Sequence, residues 1–283
     1  MDTEENAPPV RPGSAHSREL GGEIRKTRQN SGRSAPKVAE ALGWSVGKLS
    51  KLEKGTRGTS TVDIAALLGH CGAAKAARER VLGIAAEPDT GSFLRLHHQR
   101  SDRLVAVSVH EEIAETITVY DPVTVPDLAR TEDYTLALTG DPDFATALAE
   151  RQRLLQRHPN PHVTAYVHEM ALRMAVGGPA VMRDQLLHLL LMCEWPRTTV
   201  RVVPLAAGFH THLRYPCTLL TFESPDKPMA YAETDVAVAF HDAPEAVAAY
   251  QQKMCHLDAA ALDTEQTRRK LSRWTDLYDR KAA

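Results

Sequence analysis

The chain has 283 residues, of which 43% are hydrophobic and 25% charged, and its formal net charge is −2 at neutral pH. That length admits two domains with a real core. Four widely spaced cysteines (Cys71, Cys193, Cys217 and Cys255) and no CxxC argue against a disulfide framework or a zinc ribbon and for a reducing cytoplasm. The charge is unevenly spread. Residues 18–86 hold 13 Lys/Arg and 6 Asp/Glu, a net of +7, and residues 1–17 hold one Arg and three acids, a net of −2, which leaves −2 − 7 + 2 = −7 for residues 87–283. A basic module on an acidic body localises a polyanion to the module.

Residues 1–17 carry Pro, Ser and acids without an apolar stretch, and read as a disordered arm rather than a signal peptide. Leu20, Ile24 and Thr27 then predict a helix, with Arg25, Lys26 and Arg28 outward. Ser34 is placed to cap a second helix that has Pro36 in its first turn and Val38, Ala39 and Leu42 on one face. Gly43 follows, where a left-handed residue is wanted. Ser45 caps a third helix, on which Val46, Leu49 and Leu52 share the buried side and Gly55 marks the end. Lys48, Lys51 and Lys54 repeat on a neighbouring face, with Arg57 just beyond. Ser60, with Asp63 three residues on, opens a fourth helix whose stripe is Ile64, Leu67 and Leu68. A fifth is expected over 73–85. Short loops join all five, as in a compact helical bundle.

Pro88, Asp89, Thr90 and Gly91 mark a linker, 87–92. Beyond it, 94–115 reads mostly as helix, 117–125 as strand broken at Asp121–Pro122, and Thr131 as the cap of a helix reaching Leu138. Asp143 begins another helix to Arg157, 163–167 is a strand, and 180–193 is an apolar helix. Strands are expected at 199–203, 218–222 and 229–233, with turns at Gly208 and Ser224–Pro225–Asp226. Pro244 opens a long helix to about Leu262, and Thr264 caps the last. The fold class is α+β: an all-α five-helix domain at 18–86, then a mostly helical α+β domain with a small sheet at 93–283. The longest apolar-rich run, Leu186 to Trp195, is too short to span a bilayer.

Residues 19–86, with the core LxxxLGWSxxKLSKLEKG, resemble the Cro/cI-type, or XRE-type, helix-turn-helix regulators. The resemblance implies double-stranded DNA as partner. It puts Ser45, Val46, Gly47, Lys48 and Lys51 at the base-facing and rim positions of the recognition helix, and Lys54 and Arg57 on phosphates. It also implies that Arg28 pairs with Glu53 across the bundle and that Trp44 wedges between the second and third helices. The family usually has Gln after Ser34, where it touches phosphate, and this chain has Ala35. Gly47 offers no side chain where many relatives have Ser.

The segments VPDLARTEDY, YVHEMALRMAVGG, MRDQLLHLL and VRVVPLAAGFH resemble the C-terminal, antitoxin-like domain of WhiJ-type actinobacterial regulators, over roughly residues 93–280. That family commonly reads PGLLQTxxY, so Asp127 and Arg130 are departures. The resemblance implies control of transcription in development or antibiotic production, with a small regulatory protein encoded nearby as partner, and supplies no catalytic residues.

The expectation is therefore a cytoplasmic transcription regulator, a homodimer, nucleoid-associated when bound to DNA. The alternative makes the second domain a sensor of a small apolar ligand, with a pocket formed by 180–193 and the sheet. An enzyme is not expected: there is no HExxH, GxSxG, GxGxxG or P-loop. His210-Thr211-His212 and His168-Glu169 invite a metal, because an HxH pair on a strand turns both rings to one face. No third ligand stands at a telling distance, so no metal and no cofactor are expected.

Overall fold

The computed structural model describes residues 13–97, 107–157, 161–208, 210–223 and 226–282. The chain divides into two compact units, one of residues 1–93 with 223–227, the other of 94–222 with 228–283.

The first unit is a five-helix bundle: α1 (Ala15–Asn30), α2 (Ala35–Ala41), α3 (Val46–Glu53), α4 (Thr61–His70) and α5 (Lys75–Ala86). Helix α1 begins earlier than the Leu20 stripe predicts. Ser14 caps it by accepting from the Ser17 N–H, so 15–17 are helical rather than part of an arm, and residues 1–12 lie outside the described residues. The α2–α3 corner follows its glycine. Gly43 has φ +64°, the Gly43 N–H reaches the Glu40 carbonyl at 3.0 Å and the Trp44 N–H reaches Ala39 at 2.8 Å, a left-handed cap that ends α2 within one residue. Ser45 then accepts from the Lys48 N–H at 3.1 Å and starts α3. Val38, Ala39, Leu49, Leu52, Ile64, Leu67 and Leu68 bury together with Ile24 as one core.

The second unit carries a seven-stranded sheet: β1 (Ser92–Leu96), β2 (Thr116–Asp121), β3 (His162–His168), β4 (Thr198–Val203), β5 (Cys217–Thr221), β6 (Met229–Glu233) and β7 (Ala237–His241), in the order β1-β7-β6-β5-β2-β3-β4. Strands β2, β3 and β4 run parallel, which demands helical crossovers. These are α6 (Glu132–Thr139) with α7 (Pro142–Arg157), then α8 (Glu169–Arg173) with α9 (Pro179–Met192). From β5 to β7 the chain turns back on itself antiparallel, and α10 (Pro244–Ala260) and α11 (Thr264–Ala282) complete it. Strand alternation sends Val119, Ala165 and Val167 to the face covered by α9 and α11, and Tyr120 and Tyr166 to the face covered by α10.

The sheet is larger than the five strands read from the sequence. Residues 94–96 are strand rather than helix; 98–106 lie outside the described residues, and 107–111 are helical. Strand β7 went unread, because AVAFH is too short and too evenly apolar to show a period. At the start of α11 the cap is Asp263, not Thr264. Its carboxylate accepts from the Gln266 N–H at 2.7 Å while the Gln266 side chain returns to the Asp263 N–H at 3.1 Å.

Candidate nucleic-acid interface

Helix α3 is held from behind and bare in front. Its inner residues Leu49 and Leu52 are buried. Its far end presses on α1, where a Cβ on Gly21 would fall 2.6 Å from the Leu52 carbonyl and one on Gly55 2.5 Å from the Ser17 carbonyl. The two helices therefore meet backbone to backbone. Arg28 on α1 grips Glu53 with two bonds, Nε–Oε1 at 2.5 Å and Nη2–Oε2 at 3.0 Å, and reaches the Arg33 carbonyl with Nη1. The hydrogen bonds from Glu53 raise the Arg28 pKa against the opposing effect of burial. Arg28 thus pairs with Glu53 as the resemblance implies, and faces inward where the helical spacing alone predicts that it points out. Glu23 ties α1 to α5 through Arg80, at 2.7 and 2.9 Å.

Ser45, Gly47, Lys51, Lys54 and Arg57 are all exposed. Val46 is exposed too, at 48%, so it leaves the buried row that the sequence spacing gave it. A row spaced by three residues drifts around a helix of 3.6 residues per turn, so Val46 and Leu52 do not share one face. Nothing but the Ser45 hydroxyl, at 4.0 Å, would meet a Cβ on Gly47, so the bare position there is not imposed by packing. Ser34 holds the cap position of α2, with extended backbone and its carbonyl accepting from the Val38 N–H at 3.2 Å, but its side chain makes no capping hydrogen bond and the residue is exposed.

Lys48 departs from the other basic residues. Its ammonium lies 3.9 Å from the centre of the Trp44 ring and 3.2 Å from Asp63, and its side chain is largely covered. Asp63 also accepts from the Thr59 hydroxyl at 2.7 Å, and the bonds from Thr59 and Lys48 lower its pKa. Trp44 packs partly buried on the bundle core, as the resemblance implied, and offers its ring face to Lys48. The four-residue spacing of Trp44 and Lys48 carried this signal, but Asp63 lies in the next helix.

In the second unit the VPDLARTEDY segment is architectural. Gln185, fully buried on α9, donates to the Ala129 carbonyl and accepts from the Thr131 N–H. Arg130 donates to the Val125 carbonyl at 2.6 Å and the Thr124 hydroxyl at 2.9 Å. Arg151, buried, joins Glu111 through two bonds and Asp127 at 2.9 Å, while the Tyr231 hydroxyl donates to Glu111 at 2.7 Å. Asp127 and Arg130, two departures from the family pattern, thus each have a partner. A shallow cleft beside them is lined by Asp121, Asp127, Arg130, Thr218, Tyr231 and Glu233 among others, and takes no residue from 180–193. Helix α9 instead buries Met182, Leu186, Leu189 and Met192 in the core.

His168 and Glu169 serve the chain's own hydrogen bonds and ion pairs. His168 caps α8 by accepting from the Met170 N–H, and Glu169 accepts from the Leu205 N–H and pairs with Arg173 and Lys270. All four cysteines are free. Among the described residues no helix is long and apolar enough to cross a membrane.

A bundle with a capped two-helix corner, a buried inner face and a basic outer face defines a helix-turn-helix DNA-binding protein. A family model described as a helix-turn-helix domain matches residues 19–81. A second, described as a domain of unknown function (DUF5753), matches residues 104–273, more than half of the chain, and the chain belongs to that family. No curated protein and no solved structure matches it.

Proposed function

We propose that the chain is a sequence-specific transcription regulator of the XRE type whose α3 lies in the major groove. In this reading Ser45, Val46, Gly47 and Lys51 face base edges, and Ser34, Lys54 and Arg57 bind phosphates. Lys48 serves as the prop between Trp44 and Asp63, and contributes positive potential at the rim. The observation that carries the reading is the outer face of α3, where an apolar Val46, a bare Gly47 and a free-standing Lys51 are exposed on a helix whose other side is locked in the core. A valine kept in water at that site suits a thymine methyl.

The second unit, as in the WhiJ-type regulators it resembles, binds a small partner protein that modulates DNA occupancy. The net charge of −7 on residues 87–283 keeps that part of the chain off the duplex. A homodimer would read half-sites about 34 Å apart, roughly one helical turn. The sensor of an apolar ligand would need a pocket formed with 180–193, and the cleft, lined by charged and apolar residues together, takes no residue from that helix.

Selection of bound duplexes from a random pool with the full chain, followed by footprinting, tests the reading. A discrete operator is expected, with affinity lost in a Val46→Ala/Lys51→Ala double variant. Operator affinity unchanged in that variant overturns the placement of α3.

A further inference from the structure

The HxH pair that the sequence left without a third ligand acquires one in the fold. Residues 211–213 form a single 3-10 turn, with His210 just before it and His212 inside it. Leu213 is buried under α10, and its carbonyl accepts from the buried Tyr120 hydroxyl at 3.0 Å, which fixes the turn to the sheet. On α10, His256 projects to the same place. The three imidazoles stack nearly parallel, with ring centres 4.1 Å (His212–His256), 4.8 Å (His210–His212) and 5.3 Å (His210–His256) apart. One ring nitrogen from each lies within 4.8 Å of the others.

We propose that His210, His212 and His256 form a three-imidazole binding site for Zn2+, with the fourth position open to water or an external ligand. Three observations on geometry and chemistry support it. First, His256 meets the Gln252 carbonyl through Nδ1 at 2.7 Å; a carbonyl only accepts, so Nδ1 carries the proton and Nε2 presents its lone pair. Backing of a ligand histidine by a backbone carbonyl is the usual support behind a metal. Second, tetrahedral Zn–N bonds of about 2.0–2.1 Å put nitrogens roughly 3.3 Å apart. The ligand atoms lie within 4.8 Å of one another, and His210 and His256 are exposed and His212 half-buried, so the rings have open space in which to turn toward one ion. Third, an all-imidazole set suits zinc, copper and nickel and rejects magnesium and calcium, which want oxygen.

Two local charges set limits on the site. Lys253, one turn before His256, directs its ammonium to the Tyr215 carbonyl, and Arg214 lies over the Tyr215 ring at 5.0 Å. Among the described residues no carboxylate joins the three imidazoles, which supply the coordination of the ion. The His210 Nδ1 accepts a long bond from the His212 N–H, 3.3 Å, which ligation through that atom would replace.

The test is calorimetric titration of the untagged, chelator-treated full chain with Zn2+ at pH 7.5. One ion per chain is expected. Loss of a group behind a ligand costs about 10–100-fold in metal affinity, so His256→Gln and His210→Gln, which remove ligands outright, should each weaken binding by about a hundredfold. His162→Gln, at an exposed histidine outside the cluster, should not. Unchanged melting without metal shows that the variants fold. Independently of any variant, Co2+ added to the unaltered chain should give the visible bands of a tetrahedral complex. Absence of saturable Zn2+ binding, Zn2+ affinity unchanged in both ligand variants, or only octahedral Co2+ spectra would each overturn the assignment.

Discussion

Lys51 and Lys48 sit three residues apart on one short helix and behave differently. Lys51 has only solvent around it, so Lys51→Ala should cost about 1–3 kcal/mol of specific binding if it reaches a base. Lys54→Ala should instead weaken every sequence alike and reduce the slope of log K against log salt by about 0.9. Titrations of operator and unrelated duplex at several salt concentrations separate the two. Arg28 and Glu53 present the opposite case, a bidentate pair with side chains only 12% and 8% exposed. Breaking a fully buried pair by removing one partner costs about 3–5 kcal/mol, and this one sits at the edge of the core, so Glu53→Gln should lose about 2 kcal/mol in chemical denaturation. Glu169 supplies a pH signature. Burial alone would raise its pKa, but the Leu205 N–H, Arg173 and Lys270 overcome that and lower it. A depressed carboxylate stabilises the fold above its unfolded pKa of about 4.3, and that contribution is lost as pH falls through the lower folded value. The melting temperature of Glu169→Gln should therefore fall less steeply below pH 5 than that of the parent.

At the scale of elements, what the sequence disclosed and what it hid have different physical causes. Caps and glycines act locally, so Ser45, Gly43, Ser60 and Thr131 marked their elements within a residue or so. The apolar rows of α4 and α9 were equally plain. Ser34 holds its cap position without a capping side-chain bond, and Val46 fell in the right row yet faces water. The Glu23–Arg80 bridge, the Gln185 clamp and His256 join residues far apart in sequence, and no period announces them. The meeting of α1 and α3 gives a sharp test of packing against propensity. Alanine is the better helix former by up to about 1 kcal/mol. At Gly83, on the open side of α5, nothing lies within 4 Å of the new Cβ, and Gly83→Ala should stabilise by about 0.5–1 kcal/mol. At Gly21 the same methyl meets the carbonyls of Leu52 and Glu53 at 2.6 and 2.8 Å, backbone atoms that cannot rotate away. Gly21→Ala should cost about 1–3 kcal/mol, and because it levers α3 it should weaken DNA binding as well.

For the whole molecule, the proposed regulation rests on the contrast between +7 on residues 18–86 and −7 on 87–283. An acidic unit of this size exceeds what dimerisation alone requires. If a small protein binds it and lowers DNA occupancy, it must bind the free regulator better than the DNA-bound one. Operator DNA must then lower the partner's affinity by the same factor, because coupling is reciprocal. A coupling of 1–3 kcal/mol corresponds to roughly 5–150-fold, within the reach of a titration. The measurement uses the full chain to recover binding proteins from its native cells, then titrates the recovered protein with and without saturating operator. The expected outcome is one small protein whose affinity falls, in the presence of operator, by the factor it imposes on DNA binding. Recovery of a partner that binds equally well in both states would refute regulation through occupancy. Recovery of none, together with a co-purifying small molecule that shifts DNA binding, would transfer the regulatory role from a protein partner to a ligand.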